Sequence, residues 1–547
     1  MSFANLTVLI PALKKTVAFQ DDLVKKLAGT SLIQRAINKA VELGVEKSNI
    51  HLLTDSEEIR LIAERNRVQN YWDPEFVWGG TACFDNVSGY LKQVVQKYEY
   101  TLLLSPYAPL LTANLINKAM QALLDSKKDL LKPVKQVKRH LYDENGQSIV
   151  EALFGGVLET HSVESKAFTL MRTKLLQSGA DQRPSILSWP VEHDLMEIES
   201  YQDWWVCEKL LVRKKIVFRV IGNEKVGMGH IYRALSLAHE ITDHEIIFAS
   251  DIENTVAVNK LAGYDYWLDI YESDKIVEDI INLKPDLVVN DILSTSEADV
   301  LPLQQNGIKV INFEDLGEGA RLADLTINEL YDDAQFVGDN ILWGHHYFFV
   351  RDEFHGAKPH RFKKRVESIL LTFGGTDQHD LSSKIYHAIQ EFCKERNICV
   401  HIVIGAGYKG YDQLEVEARD EPLVTLTKET GVISSIMEQS QLAIVSNGRT
   451  LYELAHMNIP AIVVSQHERE DTHSFSCEEN GFISVGIFKK GHTELEIIKQ
   501  LTRLLDDEAY RHQLFERTTR FRFNTNKKKV IKRMLAVLQS DREGHPH

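Results

Sequence analysis

The chain has few cysteines, five in 547 residues. Cys83, Cys207, Cys393, Cys399 and Cys477 are scattered, odd in number, and form no Cys-x-x-Cys pair. That excludes a disulfide framework and a cysteine-built zinc site, and it fits a reducing cytoplasm. Positive charge is also short: 63 basic residues face 78 acidic ones, a formal net charge of −15. A general nucleic-acid binder, or a protein held on an anionic membrane, would carry the opposite balance. No apolar run is long enough to span a bilayer. The start, Met1-Ser2-Phe3-Ala4-Asn5, lacks the basic and long apolar regions of a signal peptide, so a cytoplasmic location is expected. Short repeats and low-complexity segments are missing as well.

What is present is ordinary globular composition, 44% hydrophobic and 26% charged, in a length that calls for two to four domains. Strand-like apolar runs alternate with helix-like amphipathic stretches. Runs at 6–10, 50–54 and 100–104 interleave with helical stretches at 32–43 and 56–66, and a helix at 202–212 ends this part. The basic hinge Arg213-Lys214-Lys215 leads into a second block with runs at 216–220, 245–249, 287–290 and 309–313. After a charged, irregular segment at 351–364, a third block has runs at 369–373, 400–404, 442–445 and 461–464. This is the βαβ rhythm of mostly parallel sheets. The reading is α/β throughout: a Rossmann-like first domain over 1–212, two lobes over 213–362 and 363–537, and a polar tail over 538–547. Loops at the carboxyl ends of parallel strands would face the cleft between the lobes, a natural ligand site.

Four loops directly follow strand-like runs in the two lobes. The first, Val226-Gly227-Met228-Gly229-His230-Ile231-Tyr232-Arg233, reads as a glycine turn opening a helix. The others are Gly374-Gly375-Thr376-Asp377, Gly405-Ala406-Gly407 and Ser446-Asn447-Gly448-Arg449-Thr450-Leu451-Tyr452-Glu453. Turns and helix starts of this kind present backbone N–H groups that suit phosphate oxygens. Thr376 and Thr450 would add hydroxyls, and Glu453 would accept from ribose. A single such loop is also what a plain strand-to-helix turn looks like. Four of them at strand ends in two lobes point to a nucleotide site.

These runs, Gly-Met-Gly-His-Ile-Tyr-Arg-Ala-Leu, Thr-Phe-Gly-Gly-Thr-Asp and Ser-Asn-Gly-Arg-Thr-Leu-Tyr-Glu-Leu, resemble the UDP-sugar hydrolases of pseudaminic acid biosynthesis. That is the PseG/SpsG group, related to the MurG glycosyltransferases and having the GT-B fold. The resemblance covers about 216–486 and includes Phe313-Glu314-Asp315-Leu316 and Ala323-Asp324-Leu325-Thr326-Ile327-Asn328. It implies metal-free attack of water at the anomeric carbon with release of UDP. His230 would then orient or deprotonate the water, an imidazole task near neutral pH. Asp315 and Asn328 would line the sugar side. Gly227, Gly229, Arg233, Gly374, Gly375, Thr376, Gly405, Asn447, Gly448, Thr450 and Glu453 would bind the substrate. The chain departs from the group's Asn-Gln pair after the run at 461–464, having Ser465-Gln466-His467-Glu468-Arg469-Glu470-Asp471-Thr472-His473. There His467 and His473, with Glu468 and Glu470, are candidates for contact with the sugar or for acid–base work, although a polar helix start would read the same.

The first domain resembles the CMP-sialic acid synthetases (acylneuraminate cytidylyltransferases). The matching runs are Ile10-Pro11-Ala12, Leu27-Ala28-Gly29-Thr30-Ser31-Leu32-Ile33, Leu53-Thr54-Asp55-Ser56-Glu57-Glu58-Ile59 and Leu104-Ser105-Pro106-Tyr107-Ala108-Pro109-Leu110. The loop that cradles CTP in that family is degraded here to Leu13-Lys14-Lys15-Thr16-Val17-Ala18-Phe19-Gln20-Asp21-Asp22, without its glycines and arginine. Asp21 and Asp22 would repel a triphosphate. Glu197 and Glu199 stand where two metal-binding aspartates are expected, so Mg²⁺ is called for only if this domain is active. The resemblance implies a retained fold, CTP or a CMP-sugar as the ligand if activity persists, and a homodimer, while the degraded loop implies that cytidylyl transfer is lost. For the whole chain the expectation is a nucleotide-sugar hydrolase of nonulosonic acid or surface-polysaccharide biosynthesis. The alternatives are a GT-B glycosyltransferase, a bifunctional enzyme and a non-catalytic binding protein.

Overall fold

The computed structural model describes residues 5–14, 19, 21–76, 90, 97–138, 142, 144–147, 160–176, 184–191, 195–223, 226–405 and 407–540. Lys15, Gln20, Ala406 and the end of the expected tail lie outside the described residues. The chain forms two compact units, Met1–Arg213 and Lys214–His547.

The first unit is built on an eight-stranded mixed sheet. Its main path runs Ile186–Pro190, Leu130–Lys138, Phe168–Arg172, Tyr100–Leu104, Leu6–Pro11, Ile50–Thr54, Gln69–Trp72. The last four strands pair in parallel, while Phe168–Arg172 runs antiparallel to both its neighbours. Leu6–Pro11 is buried along almost its whole length, as a central strand with both faces covered must be. The helix Leu32–Glu42 starts where the Ser31 hydroxyl accepts from Gln34 N, and Ala113–Ser126 starts where Thr112 accepts from Leu115 N. Each cap satisfies an N–H that the first helical turn leaves open.

The second unit holds two all-parallel sheets. The first lobe has seven strands, in the order Trp267–Tyr271, Glu245–Asp251, Lys215–Val220, Leu287–Asp291, Lys309–Phe313, Leu325–Asn328, Ile341–Trp343. The second has six: Val424–Lys428, Cys399–Ile404, Ser368–Thr372, Leu442–Ser446, Ala461–Ser465, Phe482–Ile487. Counted in chain order, both sheets begin 3-2-1-4-5, so both are Rossmann-like and reverse direction between strands 1 and 4. Ligands of such sheets bind outside the carboxyl ends at that reversal.

Strand periodicity explains the burial. Ile216, Phe218 and Val220 enter one core cluster while Val217 enters another. Ile369 and Leu371 likewise face one side of their sheet, and Leu370 the other. Alternate residues point to opposite faces, and helices cover both, so the sequence shows continuous apolar runs. The helix Asn526–Gln539 returns to the first lobe, where Val530 and Met534 are fully buried against its core. Assigning 363–537 as one lobe therefore misplaces this helix, whose apolar stripe does not name the sheet it covers. Among the described residues no helix is long and apolar enough to cross a membrane.

Candidate functional site

A cavity of about 340 Å³ lies between the two lobes of the second unit. Its wall comes from the carboxyl ends of both sheets, as the doubly wound order requires. Gly227, Gly229, His230 and Arg233 line it from the first lobe. From the second come Gly374, Gly375, Thr376, Gly405, Gly448, Thr450, Glu453 and His467. The helices Gly229–Ala238 and Arg449–His456 both begin at this wall, so their open N–H groups and positive dipole ends face the cavity.

The glycines serve different needs. Gly227 and Gly374 have φ of +80° and +82° with open space beside them, so they are required by backbone conformation. Gly405 is required by packing: a Cβ there would lie 2.3 Å from the carbonyl oxygen of Gly375. Gly375 in turn faces Met228 of the first lobe, with 3.4 Å between a would-be Cβ and that side chain.

His230 is nearly buried, and its Nδ1 lies 2.5 Å from Oδ1 of Asp291. Asp291 ends the strand next to Lys215–Val220 and pairs with Val220 in register, which brings it beside the glycine turn. Burial alone would raise its pKa, but the charge of Arg233 and the hydrogen bonds from Arg233 and His230 override that and hold it well below the carboxylate range. An ionised carboxylate only accepts, so Nδ1 of His230 donates and Nε2 keeps the lone pair. Arg233 grips the same carboxylate, Nε to Oδ2 at 2.8 Å and Nη2 to Oδ1 at 2.5 Å, and donates from Nη1 to Glu329 at 2.9 Å. Although Arg233 touches the cavity, its guanidinium is taken up by the protein's own carboxylates, so it supports His230 instead of presenting charge to a ligand. Glu453 is similarly engaged, accepting from Arg351 at 2.8 and 3.1 Å.

Four expected site residues are not on the cavity wall. Asp315 is fully buried and accepts from Thr295 N, Thr295 Oγ1, Asn312 Nδ2 and Gly317 N. Asn328 closes the same turn through the backbone N and O of Asp315. Both shape the loops instead of lining the sugar side. Asn447 donates to the carbonyls of Glu470 and His473, tying the second-lobe loops together. Glu468 is exposed on the short helix Glu468–Asp471. His467 does line the cavity, and its ring also caps that helix by accepting from Glu470 N.

Of the further residues at the site, some carried no sequence signal of their own. Asp291 is one, since only the strand order places it beside His230. Arg449 has its pKa pulled down to about 10 by burial and by the nearby charge of Arg233. Arg469 crosses from the second lobe to the first, donating to the Glu314 carbonyl at 2.5 Å. Glu470 lines the cavity and accepts from Gln466 N at 2.8 Å, and burial pushes its carboxyl up to about 7.

In the first unit, Glu197 accepts from Ser165 Oγ at 2.7 Å and from Lys166 N at 3.1 Å, while Glu199 is exposed with Lys166 Nζ 3.8 Å away. Glu197 thus closes a turn. Lys14, the described lysine of the degraded loop, is paired with Asp21 and Glu58, and Asp22 accepts from Tyr107 at 3.1 Å. The described residues contain no cluster of three or more metal-ligating side chains.

No family model matches the chain. It is 26% identical over 317 residues to an uncharacterised protein of Methanocaldococcus jannaschii, a match covering 52% of this chain and 64% of that protein, so it spans less than two thirds of that relative. It is 24% identical over 313 residues to the spore coat polysaccharide biosynthesis protein SpsG of Bacillus subtilis, covering 54% of this chain and 91% of that one. Among solved structures, MurG of Acinetobacter baumannii is similar over 59% of this chain and 99% of that one, at 14% identity and a TM-score of 0.43. The chain is a distant relative of SpsG, with two Rossmann-like lobes in its second unit.

Proposed function

We propose that the second unit hydrolyses a UDP-sugar. The observation that carries this reading is the His230–Asp291 pair at the mouth of a glycine-turn helix, across a cavity from the loops at Gly374 and Gly448. The helix starts and loop N–H groups would hold the diphosphate and stabilise the charge that builds on it as it departs. Nε2 of His230 would take the proton from a water molecule. The water oxygen bonds to the anomeric carbon, the bond from that carbon to the phosphate oxygen breaks, and UDP leaves with the bonding pair. Asp291 stabilises the imidazolium so formed, and Arg233 holds Asp291 in place.

The relative's role in spore coat polysaccharide biosynthesis fits a product destined for a surface polysaccharide, with an amino or deoxy sugar of the nonulosonic acid route as the proposed substrate. The first unit would retain a cytidylyltransferase-like fold without the transfer, because the charge of Lys14 is already neutralised. The test is to incubate the protein with a panel of UDP-sugars and to measure UDP and free sugar together. Release of both, abolished by His230→Ala, is expected. Unchanged turnover in that variant would remove His230 from the reaction, and UDP release only with an added sugar acceptor would make the protein a transferase.

A further inference from the structure

Glu329 has no part in the proposed reaction, yet it joins the two lobes. It follows the strand Leu325–Asn328 and is fully buried behind the cavity wall. Its Oε1 accepts from Nη1 of Arg233 at 2.9 Å and is also paired with Nη1 of Arg449. Its Oε2 is buried without a hydrogen-bond partner. Arg233 belongs to the first-lobe helix that carries His230, and Arg449 is the first residue of the second-lobe helix that faces the cavity.

Arg449 lines the cavity at the start of its own helix, and its guanidinium is held by the protein's own groups. Nη2 donates to the Phe349 carbonyl at 3.1 Å, and the guanidinium lies 4.6 Å from the centre of the Phe348 ring. Its Cδ is close enough to Gly229 that a Cβ there would meet it at 3.3 Å. Two buried guanidiniums therefore share one carboxylate. Removing that carboxylate would leave both under-compensated in a place where an unpaired charge is costly. From Arg233 the chain of ion pairs continues through Asp291 to Nδ1 of His230.

We infer that Glu329 is a positioning residue that, by joining Arg449 to Arg233, links the nucleotide-facing helix of the second lobe to the hydrogen bond that orients His230. The inference rests on the nucleotide-sugar reading, because a diphosphate at the start of Arg449–His456 is the anion that would draw Arg449 away from Glu329. Arg233 would then keep Glu329 to itself and loosen its hold on Asp291, changing the Asp291–His230 bond. Engagement of the nucleotide would in this way be reported to the histidine before chemistry begins. Glu314, 3.7 Å from Arg233, and Glu453, whose charge acts on Arg449, are further carboxylates facing this chain.

The test uses the full chain and UDP alone as probe, with binding measured by calorimetry. The readout is the low-field proton resonance of His230 Nδ1–H, identified by its disappearance in His230→Ala. In the wild type UDP should shift this resonance. In Glu329→Gln the resonance should be displaced before ligand is added, UDP should no longer shift it, and UDP should bind more tightly, because the diphosphate no longer competes with Glu329 for Arg449. Glu329→Asp, which keeps the charge, should recover part of the shift. If Glu329→Gln does not fold, Arg449→Gln cuts the same link from the other lobe and must abolish the same shift. An unchanged resonance and an unchanged UDP-induced shift in either variant would overturn the inference. Failure of UDP to bind would refute the nucleotide reading instead, and the ligand-free resonance still decides the link: displaced in the variants it supports Glu329, identical to wild type it overturns it.

Discussion

Asp291→Asn replaces a buried carboxylate with an amide of the same shape. The native carboxylate accepts from His230 Nδ1 at 2.5 Å and from Arg233 at 2.5 and 2.8 Å. An amide has one accepting oxygen and one donating nitrogen, so either the histidine or the arginine must face a donor. Losing one member of a buried ion pair costs about 3–5 kcal/mol. Glu329, at 2.9 Å from Arg233, and Glu314, at 3.7 Å, remain to compensate it, which puts the expected loss at the low end, about 3 kcal/mol. In a unit of this size that lowers the melting midpoint by about 4 °C. The wrong ring nitrogen would now carry the proton in much of the population, and turnover should fall about 10³- to 10⁴-fold. The pH dependence has a definite sign. Because the Asp291 carboxyl is held below its ordinary range, its contribution is complete above the unfolded value near about 4 and is lost as the pH falls below it. The variant should lack that acid-side loss. The assays are UDP release and thermal unfolding across pH, and a variant within tenfold of wild-type turnover with an unmoved midpoint would refute the orienting role of Asp291.

Three further outcomes are expected. Gly405→Ala forces a methyl to 2.3 Å from the Gly375 carbonyl oxygen and should weaken UDP binding at least about tenfold, whereas Gly374→Ala meets nothing within 4 Å and should cost only about 1 kcal/mol of backbone strain; equal effects in binding and unfolding assays would contradict the packing argument. Glu470, with its carboxyl raised to about 7, favours the protonated form in the fold, so wild-type stability should decline by about 2 kcal/mol as the pH rises from about 4.5 to 7, and Glu470→Gln should flatten that decline in denaturant titrations. CTP with Mg²⁺ should leave the melting midpoint within about 1 °C, while UDP at saturating concentration raises it by several degrees in the same thermal-shift measurement.

The sequence showed the loops better than it showed their partners. Glycine turns after apolar runs are local signals, and the runs at Gly227, Gly374, Gly405 and Gly448 all reach the cavity wall. Asp291 was one residue beyond the run at 287–290, and nothing local distinguishes it from any acidic strand end. Its role depends on strands 1 and 4 being neighbours, a fact of topology. Asp315 and Asn328 misled for the converse reason: polar residues at strand ends look alike whether they face a ligand or, as here, tie loops together, Asn328 through the backbone of Asp315 and Asp315 through Thr295, Asn312 and Gly317. The charges of Arg233 and Glu453 were visible, but their consumption by Asp291, Glu329 and Arg351 is a long-range pairing that no spacing records. Likewise the helix Asn526–Gln539 advertises an apolar stripe without saying which lobe it covers.

The most direct test of the central claim is turnover of a UDP-sugar in ¹⁸O-labelled water, followed by mass spectrometry of both products. Attack at the anomeric carbon predicts one labelled oxygen in the free sugar and none in UDP. Label in the β-phosphate of UDP, or no free sugar at all, would contradict the account.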